Sequence, residues 1–598
     1  MERTGHSTTF DYAPIPEIDH LRLLQIRLLN DEQKEKSCAY TIVNTELSPN
    51  AGLETDFEAV SYTWGSPHRV SSLPLSGCAG SIGLTQNLTQ ALPHLSRHST
   101  TKHLWIDQIC INQDDPIEKS HQIGMMSRIY KSSKKVLVWL GPEDESSRLC
   151  KQWLHAVADM IKGMPRSDRM TPGTETFNPN IRFLVVKSTF VSPGNDPMYA
   201  PAIRTFWSRP WFTRGWVVQE LLLAPNVLFV VGELHFSLQD LADLQSVPSN
   251  QAIDKTDQQY ISANILMNLR FQPFTEQQPL RFLRLMAQAA QEFQTSKVED
   301  RLYAFLGMCE GSGFTPDYCK SIEENFTEFA ATLARMFGSL DFLSLWSANL
   351  DSLLPRKPGE PESLPSWVPS WSGVPLAAPF RFAAGGVRTI GTNVSWNAAN
   401  GRTHHHHQPE DVTRRLYVRG KIIDHIDAVS SARFARPWEV DDVHLDNLVE
   451  TIKHDLPGSG FDDWTRIDLI SFLSIVASNG DEPRESPEEV LGVMPKVWGN
   501  ELSNMSGYNE SLGTCIAIGI GRRVMKTEKG RIGLAPWIGS KKGCVIVILH
   551  GCVVPIVLEA VDGEDVEYKV IGDCYVKGIM HGEGVSWTEE EAETFILI

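Results

Sequence analysis

One stretch, from Arg209 to Gly232, constrains the chain more than any other: RPWFTRGWVVQELLLAPNVLFVVG. Pro210 interrupts any helix before it and Pro225 ends the one that follows, so WVVQELLLA is held to about two helical turns. The VLFVVG beyond it is short, apolar and rich in Val, the pattern of a buried strand. Trp207, Trp211 and Trp216 crowd the entry, with Arg209 and Arg214 beside them. Trp216 and Glu220 are four residues apart and so share one helix face. A carboxylate beside an indole on a mostly apolar helix needs either a partner or a task.

Upstream, the pattern alternates. FEAVSYTWGSP reads as a strand over 57–62 closed by a Trp64-Gly65-Ser66-Pro67 turn, and NLTQALPHL as a helix over about 86–95. HLWIDQICINQDD supplies a strand over 104–107 with Asp107 at its carboxyl end. In EKSHQIGMMSRIYKSSKKVLVWLGP, Ile123, Met126, Ile129 and Tyr130 recur at helical spacing over 119–131, and a buried strand follows over 136–140. This β-α-β-α-β order predicts an α/β domain, a parallel sheet flanked by helices, with 142–205 inserted before the central stretch completes it. Ligands in such sheets sit outside the carboxyl ends of the strands. Asp107, Gln108, Asn112 and Gln113 therefore gather near a crevice, with Ser61, Tyr62 and Trp64 as a candidate rim. Plainer roles stand beside these: Trp64 sealing a core end, Asp107 or Asn112 capping local backbone, the Met pair as core.

Composition narrows the classes. At 598 residues the chain needs two to four domains. A net charge of −18 with no Lys/Arg cluster excludes a nucleic-acid partner bound through its phosphates. The 10 cysteines are scattered with no CxxC pair, which suits a reducing compartment and no metal site. No signal peptide and no membrane-length apolar run are evident, so a soluble cytoplasmic protein without a membrane partner is expected. The longest apolar run, CVIVILHGCVVPIVL, is broken at His550, Gly551 and Pro555 and predicts a hairpin. There is no P-loop and no nucleophile elbow.

SYTWG, WIDQICINQ with EKSHQIGMMSRIYKSSKKVLVWLG, and RPWFTRGWVVQEL resemble, in order, the three blocks of the fungal heterokaryon-incompatibility (HET) domain. Gln108 stands where that family often has Ala, and Ala59 where Cys is common. A more distant resemblance joins the helix-strand order and the W-x-x-x-E-L helix to TIR domains, many of which cleave NAD. That resemblance implies a TIR-like HET domain in which Trp216 and Glu220 match the tryptophan and catalytic glutamate of the TIR helix. The HET resemblance implies a role in nonself recognition and programmed cell death, and the TIR resemblance NAD as substrate rather than cofactor. Breaking the nicotinamide–ribose bond develops an oxocarbenium ion that one carboxylate can stabilise, and the neutral leaving group needs no strong acid.

The candidate site is thus Glu220 as catalytic carboxylate, with Ser61, Tyr62, Trp64, Asp107, Asn112, Arg214 and Trp216 around the ligand. Against this stands a structural role in which Glu220 binds Arg209 or Arg214 and Trp216 is core. The chain would then be a non-enzymatic module that self-assembles or binds a protein partner. A third reading is a secondary-metabolism enzyme that uses the same crevice for another small molecule.

The organisation expected is a lead-in over 1–56, the HET domain over 57–235, a helical region over 236–372, a loop-rich linker over 373–415 and an α+β, mostly-β subdomain over 416–598. EDRLYAFLGM and LPSWVPSWSG resemble motifs downstream of HET blocks, the second expected to anchor a rigid crossing through its two Trp residues. Tyr575-Val576-Lys577-Gly578 stands where relatives often read Y-V-H-G. The run His404 to His407 is expected in a solvated loop, and Cys544, Cys552 and Cys574 as buried small hydrophobes.

Overall fold

A computed structural model describes residues 10–15, 19–29, 37–47, 55–77, 80–164, 199–245, 258–271, 277–288, 292–309, 311–345, 364–371, 380, 396–404, 414–434, 442–458, 460–477, 486, 518–561 and 566–598. It divides into two compact units. The first holds residues 1–273 with 292–295 and 315–319, and the second holds the rest.

The first unit is built on a seven-stranded sheet. Its strands are β1 (His20–Leu29), β2 (Ser37–Glu46), β3 (Glu58–Ser61), β6 (His103–Trp105), β7 (Lys135–Trp139), β8 (Val227–Val231) and β9 (Leu234–Ser237), in the order β2-β1-β6-β3-β7-β8-β9. A separate hairpin pairs β4 (Arg69–Pro74) with β5 (Ser81–Thr85). The four central strands β6, β3, β7 and β8 run parallel, as the alternating pattern predicts. Antiparallel strands close both edges, which makes the sheet mixed. The chain leaves β3 for β6 on one side and then crosses to β7 on the other. The carboxyl ends of β3 and β7 therefore flank the topological switch point, where doubly wound sheets bind ligands. Every residue of β3 is buried, as a parallel strand covered on both faces must be.

Local chemistry fixes the helices. In α1 (Gln86–His98), Thr85 Oγ1 accepts from Leu88 N, and the chain then passes to α2 (Asp107–Cys110). α3 (Pro116–Ser132) starts with Pro116 at its first position and Asp115 accepting from Ile117 N and Glu118 N. Met125 and Met126 face the core. α4 (Glu145–Gly163) carries a full capping box at Asp144 and Ser147, and α5 (Tyr199–Trp207) follows. Pro210 then opens a 3-10 turn, Pro210–Thr213, before α6 (Val217–Leu222). β8 returns to β9 through Gly232 at φ 56°, where a Cβ would sit 2.7 Å from Glu143 N. α7 (Leu238–Gln245) and α8 (Gln258–Phe271) complete the unit.

The second unit opens with α9 (Leu280–Gln288), α10 (Asp300–Leu306) and α11 (Ile322–Phe337). Phe282, Phe314, Phe329 and Trp371 form an aromatic cluster. After β10 (Leu416–Val429) come α12 (Asp442–Asp455), α13 (Arg466–Ala477), β11 (Arg522–Thr527), β12 (Ile532–Pro536), β13 (Val545–Leu549), β14 (Ile556–Val561), β15 (Glu567–Asp573), β16 (Tyr575–Val576) and β17 (Glu593–Leu597). β13-β14-β15-β17-β10 form a ring that closes because β10 also pairs β13. Gly420 sits where β10 passes from β17 to β13, and a Cβ there would collide with Ile548 O. The apolar run at 544–558 is the expected hairpin, with Val545 opposite Leu558.

Cys544, Cys552 and Cys574 are buried as expected, and burial raises each thiol above its ordinary range. His404 departs from the solvated-loop expectation: it is buried, and its backbone N–H donates to Gly338 O at 2.9 Å. His405 to His407 lie outside the described residues. Ala398 and Ala399, within the stretch read as linker, belong to the barrel core.

Candidate functional site

Five segments of the first unit meet at the switch point. Ser61 ends β3, and Tyr62 and Trp64 follow it. Asp107 opens α2 just past β6, Trp211 and Arg214 come from the 3-10 turn, and Glu220 from α6. Tyr130 reaches in from α3.

Hydrogen bonds and ion pairs hold these side chains together. Trp211 Nε1 donates to Ser61 Oγ at 2.7 Å, and Ser61 Oγ donates in turn to Glu220 Oε2. Arg214 Nη1 donates to Glu220 Oε1 at 3.1 Å and to Tyr62 O at 2.7 Å. Arg214 Nη2 lies 3.9 Å from Asp107 Oδ2, which also accepts from Trp64 Nε1 at 2.8 Å. Asp107 Oδ1 accepts from Gln108 N at 2.7 Å. Tyr130 Oη donates to Val60 O at 3.1 Å and lies against Glu220. Tyr62 Oη faces the Asp107 carboxylate without reaching hydrogen-bond geometry.

Glu220 is 1% exposed and Arg214 19%. Burial raises the Glu220 carboxyl above its ordinary range, opposed by the Arg214 charge and the Ser61 hydroxyl. Burial also works against the charge of Arg214, but Glu220 and Asp107 outweigh it and hold the guanidinium firmly protonated. Burial, reinforced by the neighbouring carboxylates, pushes the Tyr62 and Tyr130 hydroxyls well up.

Of the residues expected at a site, Ser61, Tyr62, Trp64, Asp107, Arg214 and Glu220 come together. Trp216 stands at the start of α6, half-buried rather than core, and its carbonyl accepts from Glu220 N at 3.3 Å. Asn112 serves local backbone: its Oδ1 accepts from Asp114 N at 3.3 Å, and its own N–H donates to Glu118 Oε1 at 2.7 Å. Between the two arginines, Arg214 binds Glu220, while Arg209 pairs with Asp144 at 2.8 Å. Trp211 and Tyr130 were not among the expected site residues. Their sequence signals, an indole before Phe212 and a tyrosine on the apolar face of α3, read equally well as core.

A second buried carboxylate escaped the sequence reading. Glu58, 0% exposed at the start of β3, accepts from Ser99 Oγ at 2.6 Å, Thr100 N at 2.9 Å and Thr101 Oγ1 at 2.8 Å. Burial acts to raise it, but these donors outweigh burial and bring it down to about 2. It clamps the turn between α1 and β6 and lies away from the switch point. Among the described residues no cluster of His, Cys, Asp or Glu could hold a metal ion.

Residues 57–220 match the family described as heterokaryon incompatibility protein (HET), and residues 500–598 match the Het-6 beta-barrel domain. The HET match thus lies in the first unit, from Phe57 to Glu220, and of the ring in the second unit β13, β14, β15 and β17 fall within the Het-6 match while β10 precedes it. Along nearly its whole length the chain is similar to heterokaryon incompatibility protein 6, OR allele, of Neurospora crassa, with 25% identity over 96% of this chain and 95% of the relative. No solved structure matches the chain.

Proposed function

We propose that this chain is an effector of fungal nonself recognition and cell death, and that its HET domain acts as an interaction module in the conformation described. The observation that carries the second clause is the state of Glu220. Both of its oxygens are engaged, one by Ser61 and one by Arg214, and it is 1% exposed. A guanidinium this close also repels a second cation. Two unit charges about 4 Å apart near a protein surface interact by about 4 kcal/mol, enough to cancel what the carboxylate would give an oxocarbenium ion. The name of the Neurospora relative supports the biological role.

NAD glycohydrolysis by a TIR-like fold is the second reading, favoured by the place of Glu220 beside the carboxyl end of β3 at the switch point. It requires Arg214 to leave the carboxylate, so that Trp64 and Trp216 can wall a pocket for the nicotinamide ribose.

The test is nicotinamide release from NAD by the purified full-length chain and by Glu220→Gln, with thermal melts of both. No turnover by either, under dilute and self-associating conditions, supports the module. Turnover by the wild type that disappears in a folded Glu220→Gln establishes the glycohydrolase instead.

A further inference from the structure

Histidines join α1 to the far edge of the first unit's sheet. His94 and His98 are four residues apart and so share one face of α1. The His94 ring stacks on the Trp139 indole with centroids 5.1 Å apart. Its Nδ1 lies 3.3 Å from Glu233 Oε1, which also pairs with Arg97 at 2.7 Å. One turn further on, the His98 ring meets the His235 ring of β9, with centroids 5.6 Å apart.

The two α1 histidines differ in their surroundings. Burial lowers His94, opposed by Glu233, and an indole face and a carboxylate both accept it when charged. His94 is thus the anchor. His98 is half-buried, and among the described residues it faces His235 of β9, Arg97 of its own helix and Lys135 of β7, with Glu233 of opposite sign. Lys135 leans toward Glu58 at 3.5 Å, while Lys151 of α4, paired with Asp240 of α7, donates to His235 O at 2.8 Å. The carbonyls that end α1 offer His98 little, since Lys102 Nζ already donates to Ser96 O at 3.2 Å and Ser99 O at 2.6 Å. Burial, then His235, Arg97 and Lys135, hold His98 below its ordinary value. The fold therefore favours the neutral ring. The contact is at full strength above the ordinary histidine value of about 6.5 and weakens as pH falls below it.

α1 carries this junction to the switch point. In its first turn Asn87 Oδ1 accepts from Trp139 Nε1 at 2.9 Å, and Asn87 Nδ2 donates to Thr63 Oγ1 at 3.0 Å. Thr63 precedes Trp64, whose indole holds Asp107 at 2.8 Å. We propose that His98 and His235 form a pH-sensitive latch: acidification charges the pair, drives β9 from the end of α1 and loosens the hold of Asn87 on the turn that carries Trp64. The latch works in the same way whether Glu220 is structural or catalytic.

The experiment is hydrogen exchange on the full-length chain at about pH 7.5 and about pH 5.5, on either side of the ordinary histidine value and corrected for intrinsic rates. In the wild type, peptides covering 86–98 and 62–66 are expected to lose about tenfold in protection at the lower pH. His98→Gln and His235→Gln are expected to keep the protection seen at the higher pH and to lose most of this response. The His235 side chain is exposed, so its variant decides the matter even where His98→Gln loosens α1 at both pH values. An unchanged response in His235→Gln assigns it to another group, such as His94, and overturns the proposal. So does a wild type that does not respond, or a response in 86–98 that fails to reach 62–66.

Discussion

Ser61, the last residue of β3, donates its hydroxyl to Glu220, 159 residues further along the chain, while accepting from the Trp211 indole. One hydroxyl thus joins the end of a central strand to the 3-10 turn and to α6. Ser61→Ala would leave a buried N–H and a buried carboxylate oxygen each short of a partner. Such losses cost about 1–3 kcal/mol per group, so the variant is expected to lose roughly 2–6 kcal/mol in urea unfolding. Unfolding indistinguishable from wild type would mean that neither neighbour depends on this hydroxyl.

Trp211→Phe isolates the indole N–H from its ring. The ring packs edge-on against Phe212 and Phe229, at 5.1 and 5.8 Å between centroids, and phenylalanine can keep those contacts. A loss of about 1 kcal/mol is expected, smaller than for Ser61→Ala because Ser61 keeps Glu220 as partner. The two variants melted side by side decide whether the hydroxyl or the indole is the centre of the set.

Glu58 makes a pH prediction of definite sign. Its carboxyl is lowered from 4.5 to about 2 in the folded chain. A depressed acid contributes stability that is present above its unfolded value and is lost as pH falls through the folded one. The window is therefore pH 4.5 down to about 2, and the contribution at neutral pH is on the order of 3 kcal/mol. Glu58→Gln is expected to be less stable at pH 7 and to show a flatter decline across that window. Glu220, raised by burial, acts in the opposite sense: its ionisation costs stability as pH rises through its folded value.

In the barrel, Arg522 and Asp573 form a buried pair at 2.7 Å, with the guanidinium 3.5 Å above the Phe380 ring. Asp573→Ala would take the carboxylate from a wholly buried guanidinium and leave it the Asp573 carbonyl, a change that costs about 3–5 kcal/mol when one partner of such a pair is removed. Limited proteolysis should show faster cleavage of the second unit, with the HET domain unaffected.

Much of this architecture was legible because it is local. The shift from strand to helical periodicity between Phe57 and Leu140 located β3, α1, β6, α3 and β7 to within a few residues. Pro210 and Pro225 bracketed α6, and the broken apolar run marked β13 and β14. What stayed hidden depends on distant partners. Nothing near His20–Leu29 announces that β1 will pair with β6 and widen the sheet. Trp211 and Ser61 lie 150 residues apart, so their bond has no sequence signature. The sequence could name Arg209 and Arg214 as rival partners for Glu220, but only the path of the 3-10 turn decides for Arg214.

The central claim is that Glu220 and Arg214 form a structural ion pair that closes the switch point. A double-mutant cycle on the full-length chain, with Glu220→Leu, Arg214→Met and the double variant followed in urea, tests it most directly. Each single change removes one partner of a buried pair and is expected to cost about 3–5 kcal/mol, while the double variant leaves neither charge stranded. The account predicts that the double variant loses less than the sum of the singles by about 2 kcal/mol or more. Additivity within about 0.5 kcal/mol would mean that the two residues do not hold one another, and that Glu220 is available for a ligand.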